Sequence, residues 1–336
     1  PAGDRGRAAL RLPGHAPIVW HTDTKDPPMC FTQNFWNLVV SGLADGFLYA
    51  LIAIGYTLVY GVLQLINFAH SEVFMSGGFA SFFILNAAIG THQPHGIASL
   101  GFLALGVVGG GLGGAVVAFL LERVAYRPLR RRNAPRLAFL ISAIGASYFL
   151  YNLAGKEFGR NALEIPSPFT NGPVFSIFGA TVQTYYIVIA VAAVIMLVLV
   201  DRVVAMTKLG KGIRAVAQDA ETASLMGVNI DRVISQTFII GGILGGAAGF
   251  LFGLNAGVVY TMGFTPALKA FTAAVLGGIG NIRGAMIGGL LLGIVENLGV
   301  ACTQASWRDV VAFGVLVLVL LVRPTGILGE QLGRAA

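Results

Sequence analysis

The chain has 336 residues, of which 56% are hydrophobic and only 11% are charged. Soluble domains carry roughly 25% charged residues, so a water-soluble globule of this size would have too little polar surface to cover its apolar content. The net charge of +7 is concentrated in short stretches between apolar segments. That distribution argues against nucleic-acid binding and is typical of the cytoplasmic loops of membrane proteins. The composition therefore predicts a protein that uses lipid as its solvent.

The two ends of the chain differ from its middle. Residues 1–35 are largely polar, contain Pro and charges of both signs, and have no apolar core of the length that a signal peptide needs. We expect them to form a disordered extension, with Met29 as a candidate natural start. Residues 329–336 are expected to form a short cytoplasmic tail.

Apolar segments long enough to span a bilayer recur between residues 36 and 328. A spanning helix needs about 20 apolar residues. The candidate segments are 38–65, 69–90, 97–121, 137–154, 184–203, 233–256, 268–281, 284–302 and 308–323. Segment 268–281 is short and ends in a glycine run, which indicates a half-helix. The sequence predicts a single all-α, polytopic transmembrane domain over 36–328, with about eight transmembrane helices, some of them broken or half-length.

The positions of Lys and Arg predict how the helices are oriented. The loop 122–136 holds six arginines against the single acid Glu122, and the stretch after residue 203 is basic again. Both should therefore be cytoplasmic. The loop 155–183 has balanced charge and many Pro, Gly and Asn residues, which favours the outside. This arrangement places the C-terminus inside the cell and the N-terminus outside.

Glycines recur at every fourth position in several segments. The rows are Gly106, Gly110 and Gly114; Gly241, Gly245 and Gly249; and Gly280, Gly284 and Gly288. Such a row opens a groove along one helix face, into which a neighbouring helix can pack. We interpret these glycines as helix-packing residues of a tight bundle.

The segment 205–232 is too polar to span a membrane and too long for a tight turn. We expect one amphipathic helix in it, between Gly212 and Gly227. The residues expected on its apolar face are Ile213, Val216, Ala217, Ala220, Leu225 and Met226, and those expected on its exposed face are Arg214, Asp219 and Glu221. Lipid binding favours Lys and Arg on the polar face, so the two acids favour a protein partner. A solvated connector is the alternative.

Polar residues interrupt the apolar pattern in two places. Asn67, His70 and Glu72 lie between the first two segments. Asn67 fits an N-cap, and an acid in the first turn complements the helix dipole. Lining a solute path is the second interpretation, because polar groups at membrane depth are expensive. Glu296, near the end of segment 284–302, is either an interfacial carboxylate or a pathway residue.

No motif for catalysis or for ATP hydrolysis is present. Lys156 and Lys211 each follow a glycine, but neither has the spacing of a phosphate-binding loop. A nucleophile elbow and a metal-binding HExxH are also missing, and Cys30 and Cys302 have no partner at metal-ligand spacing. We expect no catalytic residue, no metal and no cofactor in this chain.

Six collinear stretches resemble the permease family of high-affinity branched-chain amino acid ABC transporters. They are YALIAIGYTLVYGVLQLINFAH (49–70), ERVAYRPLR (122–130), LISAIGAS (140–147), ASLMGVNIDRVISQTFIIG (223–241), KAFTAAVLGGIGNIRGAMIGGLLLGIVE (269–296) and LVLLVRPTGILG (318–329). The resemblance is to the smaller of the two permease types. It departs at Ser71, where the family usually has Gly, at Asn281, where Ser is usual, and at Arg283, where Pro is usual.

The resemblance implies an importer complex in the bacterial inner membrane. Its other parts would be a second homologous permease, two ATP-binding subunits that hold ATP and Mg, and a periplasmic substrate-binding protein, with lipid around the permeases. The helix at 213–227 would be the coupling helix that docks on an ATPase. Ala220, Glu221 and Gly227 match the family pattern there, and we place Arg214, Ala217 and Asp219 with them.

The resemblance also implies leucine, isoleucine and valine as substrates. Urea, short amides or other amino acids are the alternatives within the same family. An ion-coupled secondary carrier is an alternative from another class. Carriers need intramembrane carboxylates for coupling, and the apolar segments hold few, chiefly Asp45 and Glu296.

Overall fold

The computed structural model describes residues 27–89, 97–167, 169, 172–177, 179–301, 305–323 and 325–329. Across these residues the chain is a bundle of α-helices with one β hairpin. The helices are α1 Pro27–Leu63, α2 His70–Ile89, α3 Ile97–Leu121, α4 Arg127–Arg131, α5 Arg136–Glu157, α6 Thr184–Met206, α7 Lys208–Gln218, α8 Ala220–Leu225, α9 Ile230–Ala256, α10 Phe264–Gly277, α11 Ile282–Gly299 and α12 Arg308–Val322. A π-helical turn, Glu122–Tyr126, joins α3 to α4.

The helical content confirms an all-α, polytopic membrane protein. Among the described residues, 6 helices are long and apolar enough to cross a membrane. They are Phe35–Leu63, Ala98–Arg131, Arg136–Glu157, Thr184–Met206, Ile230–Ala256 and Ile282–Gly299. Helix α10, the predicted half-helix, has 14 residues, fewer than the about 20 that span a bilayer. Helices α2 and α12 complete the bundle.

The chain differs from expectation at the amino end of the domain and in one loop. Helix α1 begins at Pro27, inside the stretch 1–35 that was expected to be an extension, and residues 1–26 lie outside the described residues. Of the expected tail, only Gly329 is described. The loop 155–183 contains an antiparallel hairpin, β1 Pro173–Ile177 and β2 Ala180–Gln183, in which Ser176 lies opposite Thr181.

Contacts between loops define two ends of the bundle. At one end, the backbone N–H of Thr181 in the hairpin donates to Asn37 Oδ1 near the start of α1 at 2.9 Å. At the other end, Asp231 at the start of α9 pairs with Arg127 and Arg130 of α4, and its closest distance, to Arg130, is 2.6 Å. We call the first the hairpin end and the second the basic end. The loops are thus grouped as the charge pattern predicts, with 122–136 and 205–232 together at the basic end.

Helices α3 and α9 meet at their glycines. Gly246 of α9 lies so close to α3 that a Cβ there would overlap the carbonyl oxygen of Gly110 and crowd Gly114. Small residues allow this approach because lipid supplies no hydrophobic force between helices, and packing must come from close contact. Gly110 and Gly114 therefore meet Gly246 of α9, which is not in the glycine row predicted from the sequence, whereas Gly106 lies against the ring of Phe250.

The row Gly241, Gly245 and Gly249 faces the opposite side of α9. A Cβ at Gly241 would lie 3.3 Å from the carbonyl oxygen of Gly55 in α1, and one at Gly249 would overlap the carbonyl oxygen of Phe74 in α2. Helix α9 therefore carries small residues on two faces, and this explains how it sits between α3 on one side and α1 and α2 on the other.

The third row is divided between a helix and a turn. Gly284 and Gly288 of α11 lie against the backbone of α10, where a Cβ on either would overlap Gly277 or Ala273. Gly280 does not pack between helices. It lies in the turn before α11 with φ +99°, and nothing is within 4 Å of its Cβ position. Its positive φ is a conformation that glycine adopts without strain.

Candidate functional site

The polar segment at the basic end forms two helices where the sequence predicted one. In α7, Ile213 and Val216 are buried against the bundle. Its amino end is capped by Thr207, whose side chain accepts from the backbone N–H of Gly210 at 3.2 Å. The Arg214 guanidinium donates to the carbonyl oxygen of Val204 in α6 at 2.5 Å. Helix α7 is thus fixed to the carboxyl end of α6.

The helix breaks at Asp219 because this residue caps the next one. Its backbone is extended (φ −156°, ψ 108°), and its side chain accepts from the backbone N–H groups of Glu221 at 2.9 Å and Thr222 at 3.2 Å. The Thr222 hydroxyl also donates to it. Hydrogen bonds from Thr222 and Glu221 hold the pKa of the Asp219 carboxyl below its ordinary value.

Helix α8 ends in a glycine-terminated turn. Gly227 has φ +84°, its N–H donates to the carbonyl oxygen of Ser224 at 2.9 Å, and the N–H of Val228 donates to that of Ala223 at 3.0 Å. This pair of bonds is the usual way in which a C-terminal glycine satisfies the last carbonyls of a helix. The residues carried over at Ala220, Glu221 and Gly227 therefore span one short, capped helix.

The apolar face of this segment is not continuous. Ala217 is half-buried and Ala220 is exposed, while Leu225 and Met226 are 84% and 81% exposed. The sequence placed these residues on the apolar face of a single helix, but the break at Asp219 divides them between α7 and α8, and within α8 only Ala223 is buried. The tip of the segment therefore presents Leu225 and Met226 beside the exposed Glu221.

The second candidate cluster lies where α1 gives way to α2. Asn67 is not the N-cap residue, since α2 begins at His70. Its Oδ1 accepts from the backbone N–H of Ala69 at 3.0 Å and from the hydroxyl of Tyr126 at 2.8 Å. Asn67 thus holds the non-helical link between the two helices against the π-helical turn at the end of α3.

His70 is enclosed by small residues. The ring lies against Gly55 of α1 and Gly245 of α9 and contacts the ring of Tyr56 edge-on, with centroids 4.7 Å apart. Within the described part of the chain, its Nε2 has no hydrogen-bond partner. His70 therefore fills the gap that the glycines leave.

Glu72 is buried in the first turn of α2, with 3% of its surface exposed. Its Oε1 accepts from the hydroxyl of Ser147 at 3.0 Å. The hydroxyl of Ser71 lies 3.1 Å from the same oxygen and 2.9 Å from the carbonyl oxygen of Phe68, and it can donate to either. Its Oε2 has no partner among the described residues. Ser147 belongs to α5, so Glu72 links α2 to a helix that otherwise packs loosely on the bundle.

A cavity of about 120 Å³ lies beside these serines. It is lined by Tyr56, Phe68, Ser71, Ile144, Ser147, Tyr148, Phe264, Ala267 and Leu268. Phe264 and Ala267 belong to the first turn of α10, and Gly263 before it lies so near Ser71 that a Cβ would overlap the Ser71 carbonyl oxygen. The half-helix α10 therefore starts inside the bundle, next to the start of α2.

Glu296 lies inside the bundle, near the end of α11. It is fully buried, and its Oε1 lies 2.7 Å from Lys269 Nζ and 3.5 Å from Arg308 Nε. Lys269 also contacts Asp309 Oδ1 at 2.8 Å. The buried carboxylate is tolerated because α10 and α12 bring cations to it, and the cluster fixes α10, α11 and α12 to one another.

Sequence reasoning missed several polar members of these clusters. Ser147 lies in an otherwise apolar segment, and Lys269 was read only as the start of a family block. The signal available for Lys269 was an isolated cation in an apolar stretch, which at membrane depth calls for an acid partner. No comparable signal exists for Ser147, because isolated serines are common in membrane helices.

The comparisons with known proteins agree with this architecture. Residues 38–320 match the family described as the branched-chain amino acid transport system permease component. The high-affinity branched-chain amino acid permease protein LivH of Escherichia coli K12 is 44% identical over 306 residues, covering 89% of this chain and 96% of the relative. The corresponding BraD of Pseudomonas aeruginosa is 43% identical over 303 residues, covering 88% and 96%. The chain therefore belongs to the permease family of branched-chain amino acid ABC transport systems.

Proposed function

We propose that this multi-pass permease works as an importer subunit in the bacterial inner membrane. It would form, with a second homologous permease, an alternating-access path for leucine, isoleucine and valine. A periplasmic binding protein would deliver the substrate at the hairpin end. Two ATPase subunits would bind ATP and Mg and dock at the basic end, which then faces the cytoplasm together with the C-terminus. This orientation agrees with the excess of Lys and Arg in the loops there.

The observation that carries the proposal is the tip of the α7–α8 segment. Leu225 and Met226 stand exposed on a short helix outside the apolar spans, with the acid Glu221 beside them. An exposed pair of large apolar side chains on a rigid element is typical of a helix that inserts into a groove on a partner protein. We interpret Leu225 and Met226 as the residues that enter the ATPase.

The segment is attached firmly enough to transmit movement. Helix α7 is fixed to α6 by Gly210, where a Cβ would overlap the carbonyl oxygen of Val204, and by the bond from Arg214 to the same carbonyl. Asp231, just after the segment, is paired with Arg127 and Arg130. Displacement of α8 would therefore move α6, α9 and the end of α3 together, as alternating access by rigid bodies requires.

Co-purification and uptake test the proposal directly. Glu221→Arg and the double change Leu225→Asp/Met226→Asp should lower retention of the ATPase subunits and amino-acid uptake about ten-fold or more, since the replaced residues form the centre of the contact. Membrane insertion of the permease should be unchanged. Glu157→Arg, which reverses an exposed acid at the opposite, hairpin end, serves as the matched control for retention of the ATPase subunits and should leave that retention unchanged.

Two results would contradict the proposal. One is full binding-protein-stimulated ATP hydrolysis by complexes that carry Leu225→Asp/Met226→Asp. The other is uptake by this chain alone in liposomes under an ion gradient, which would mark it as a secondary carrier.

A further inference from the structure

Buried carboxylates in the described part of the chain are of two kinds. Glu122 and Glu296 are both fully buried, and each has a cation of the protein beside it, Arg130 at 3.0 Å and Lys269 at 2.7 Å. Glu72 is almost as buried, yet no ion pair among the described residues includes it, and its Oε2 has no hydrogen-bond partner. The dipole of α2 offsets only part of the cost of burying such a charge. Glu72 is thus the buried acid for which the described chain supplies no cation.

The surroundings of Glu72 include space for a small solute. Ser71 and Ser147, whose hydroxyl oxygens lie 3.1 and 3.0 Å from Glu72 Oε1, line the cavity of about 120 Å³. That volume is well above the roughly 10–15 Å³ of the same measure that one water molecule needs, so the cavity has room for a small solute. The rest of the lining is mainly apolar and includes Phe68, Ile144 and Leu268.

The half-helix α10 brings a positive end to the same cavity. No described side chain caps its first turn. Pro266 has no N–H and the Ala267 N–H donates to the carbonyl oxygen of Gly263 at 3.1 Å, so the N–H groups left free at this end are those of Phe264 and Thr265. Phe264 and Ala267 of that turn line the cavity. The amino end of a helix attracts carboxylates through these N–H groups and its partial positive charge. The cavity therefore has a negative side at Glu72 and a positive side at α10.

We propose that this cavity, the Glu72 cavity, binds the transported amino acid as a zwitterion. The ammonium group lies against the hydroxyl oxygens of Ser71 and Ser147, with the charge of Glu72 directly behind them. The carboxylate lies at the amino end of α10, and the branched side chain packs against Phe68, Ile144 and Leu268. This assignment rests on the proposed function, since it places a substrate site within the importer's path.

The cavity is reachable without unfolding the bundle. It lies between α5 and α10, where Tyr148 and Phe264 are 68% and 63% exposed. A solute that moves along the α5 face can therefore enter between these two rings. The same position is consistent with a path shared with a second permease.

Binding to the assembled permease–ATPase complex, without the binding protein, tests the assignment. Labelled leucine is competed with isocaproate, which lacks the ammonium group, and with isoamylamine, which lacks the carboxylate. In the wild-type complex both analogues should compete about ten-fold or more weakly than leucine, as the loss of one charged hydrogen-bonding group predicts. Glu72→Gln should weaken leucine binding about ten-fold or more and remove the preference for leucine over isocaproate.

Two further variants keep the test decisive. Ile144→Trp fills the cavity from a partly exposed position and should abolish leucine binding while the complex stays assembled. Ser142→Ala is the matched control for Ser147→Ala, because it removes a hydroxyl from the same helix without lining the cavity. Only Ser147→Ala should weaken binding. If Glu72→Gln fails to assemble, Ile144→Trp decides the question.

The assignment is overturned by any of three outcomes. They are unchanged leucine affinity and preference in Glu72→Gln, unchanged binding in Ile144→Trp, or no leucine binding by the wild-type complex without the binding protein. Binding-protein-stimulated ATP hydrolysis, measured on the same preparations, separates these outcomes from a failure of the importer function. If hydrolysis is normal and the site tests fail, the function stands and the substrate binds elsewhere.

Discussion

Lys269 and Glu296 form an ion pair inside the bundle, with 2.7 Å between Nζ and Oε1 and with 6% and 0% of their side chains exposed. The pair joins the half-helix α10 to α11, and Asp309 brings α12 to the same lysine at 2.8 Å. A buried pair of this kind contributes less to net stability than its geometry suggests, because both ions lose their hydration. Its importance is that neither partner can be removed alone without leaving the other charge buried.

Removing Lys269 alone should therefore be costly. Lys269→Met should lower the free energy of unfolding by about 3–5 kcal/mol, measured by detergent denaturation of the purified chain. The double change Lys269→Met/Glu296→Gln should lower the free energy of unfolding by less than the sum of the decreases caused by the two single changes. Arg283→Met is the control, because Arg283 is 74% exposed and pairs with Asp201 at 3.3 Å, and it should cost about 1 kcal/mol or less. Additive single and double effects would show that the pair is not coupled.

Close contact between α3 and α9 gives a second prediction. Gly246→Ala puts a Cβ into the carbonyl oxygen of Gly110, so the helices must separate, at a cost of about 1–3 kcal/mol in unfolding free energy. Gly145→Ala in α5 is the matched control, because nothing lies within 4 Å of its Cβ position. The control should be neutral or gain roughly 0.5–1 kcal/mol from the better helix propensity of alanine. Equal melting temperatures for the two purified variants would contradict this account of the contact.

Much of this fold is visible in the sequence because lipid imposes simple rules. Segment 184–203 became α6 and segment 97–121 became α3, since a long apolar run in a bilayer must be helical to satisfy its own backbone. The half-helix α10 was also foreseeable from the short run at 268–281, although it begins earlier, at Phe264. The β1–β2 hairpin was missed, because the loop 155–183 has too little alternation to indicate strands.

The candidate site was less predictable, because its parts come together through packing. Asn67 looks like an N-cap in sequence, but its carboxamide holds Tyr126, a residue far along the chain. Glu72 and Ser147 are likewise distant in sequence and meet only after α5 docks on α2. At Asp219 the local signal was present, since Asp is a strong N-cap. The helical periodicity on either side of it outweighed that signal.

The contact between Tyr126 and Asn67 gives a third prediction. Tyr126→Phe removes the hydroxyl that donates to Asn67 Oδ1 at 2.8 Å, while the bond from the Ala69 N–H to the same oxygen remains. The unfolding free energy should fall by about 0.5–1.5 kcal/mol. Tyr148→Phe is the control, because it removes a hydroxyl from an exposed residue, and it should change the unfolding free energy little. Tyr126→Phe could lower the unfolding free energy by the same amount in a chain that carries Asn67→Ala as in the wild type. That result would show that the hydroxyl does not act through Asn67.

The capping role of Asp219 gives a fourth prediction, for hydrogen exchange in α8. Asp219→Ala removes the acceptor for the N–H groups of Glu221 and Thr222, so these two amides should exchange several-fold faster. Asp219→Asn keeps an oxygen in place, and Asn caps helices about as well as Asp, so exchange should stay close to wild type.

In the wild type, the bonds that lower the pKa of Asp219 stabilise α8 at neutral pH. That stability is present above the ordinary Asp pKa and is lost as the pH falls through the lowered value. After correction for intrinsic exchange rates, protection of the two amides should decline only in that acidic range, and in Asp219→Asn it should not depend on pH there. Loss of protection in wild type and Asp219→Asn alike would assign the acid sensitivity to another group.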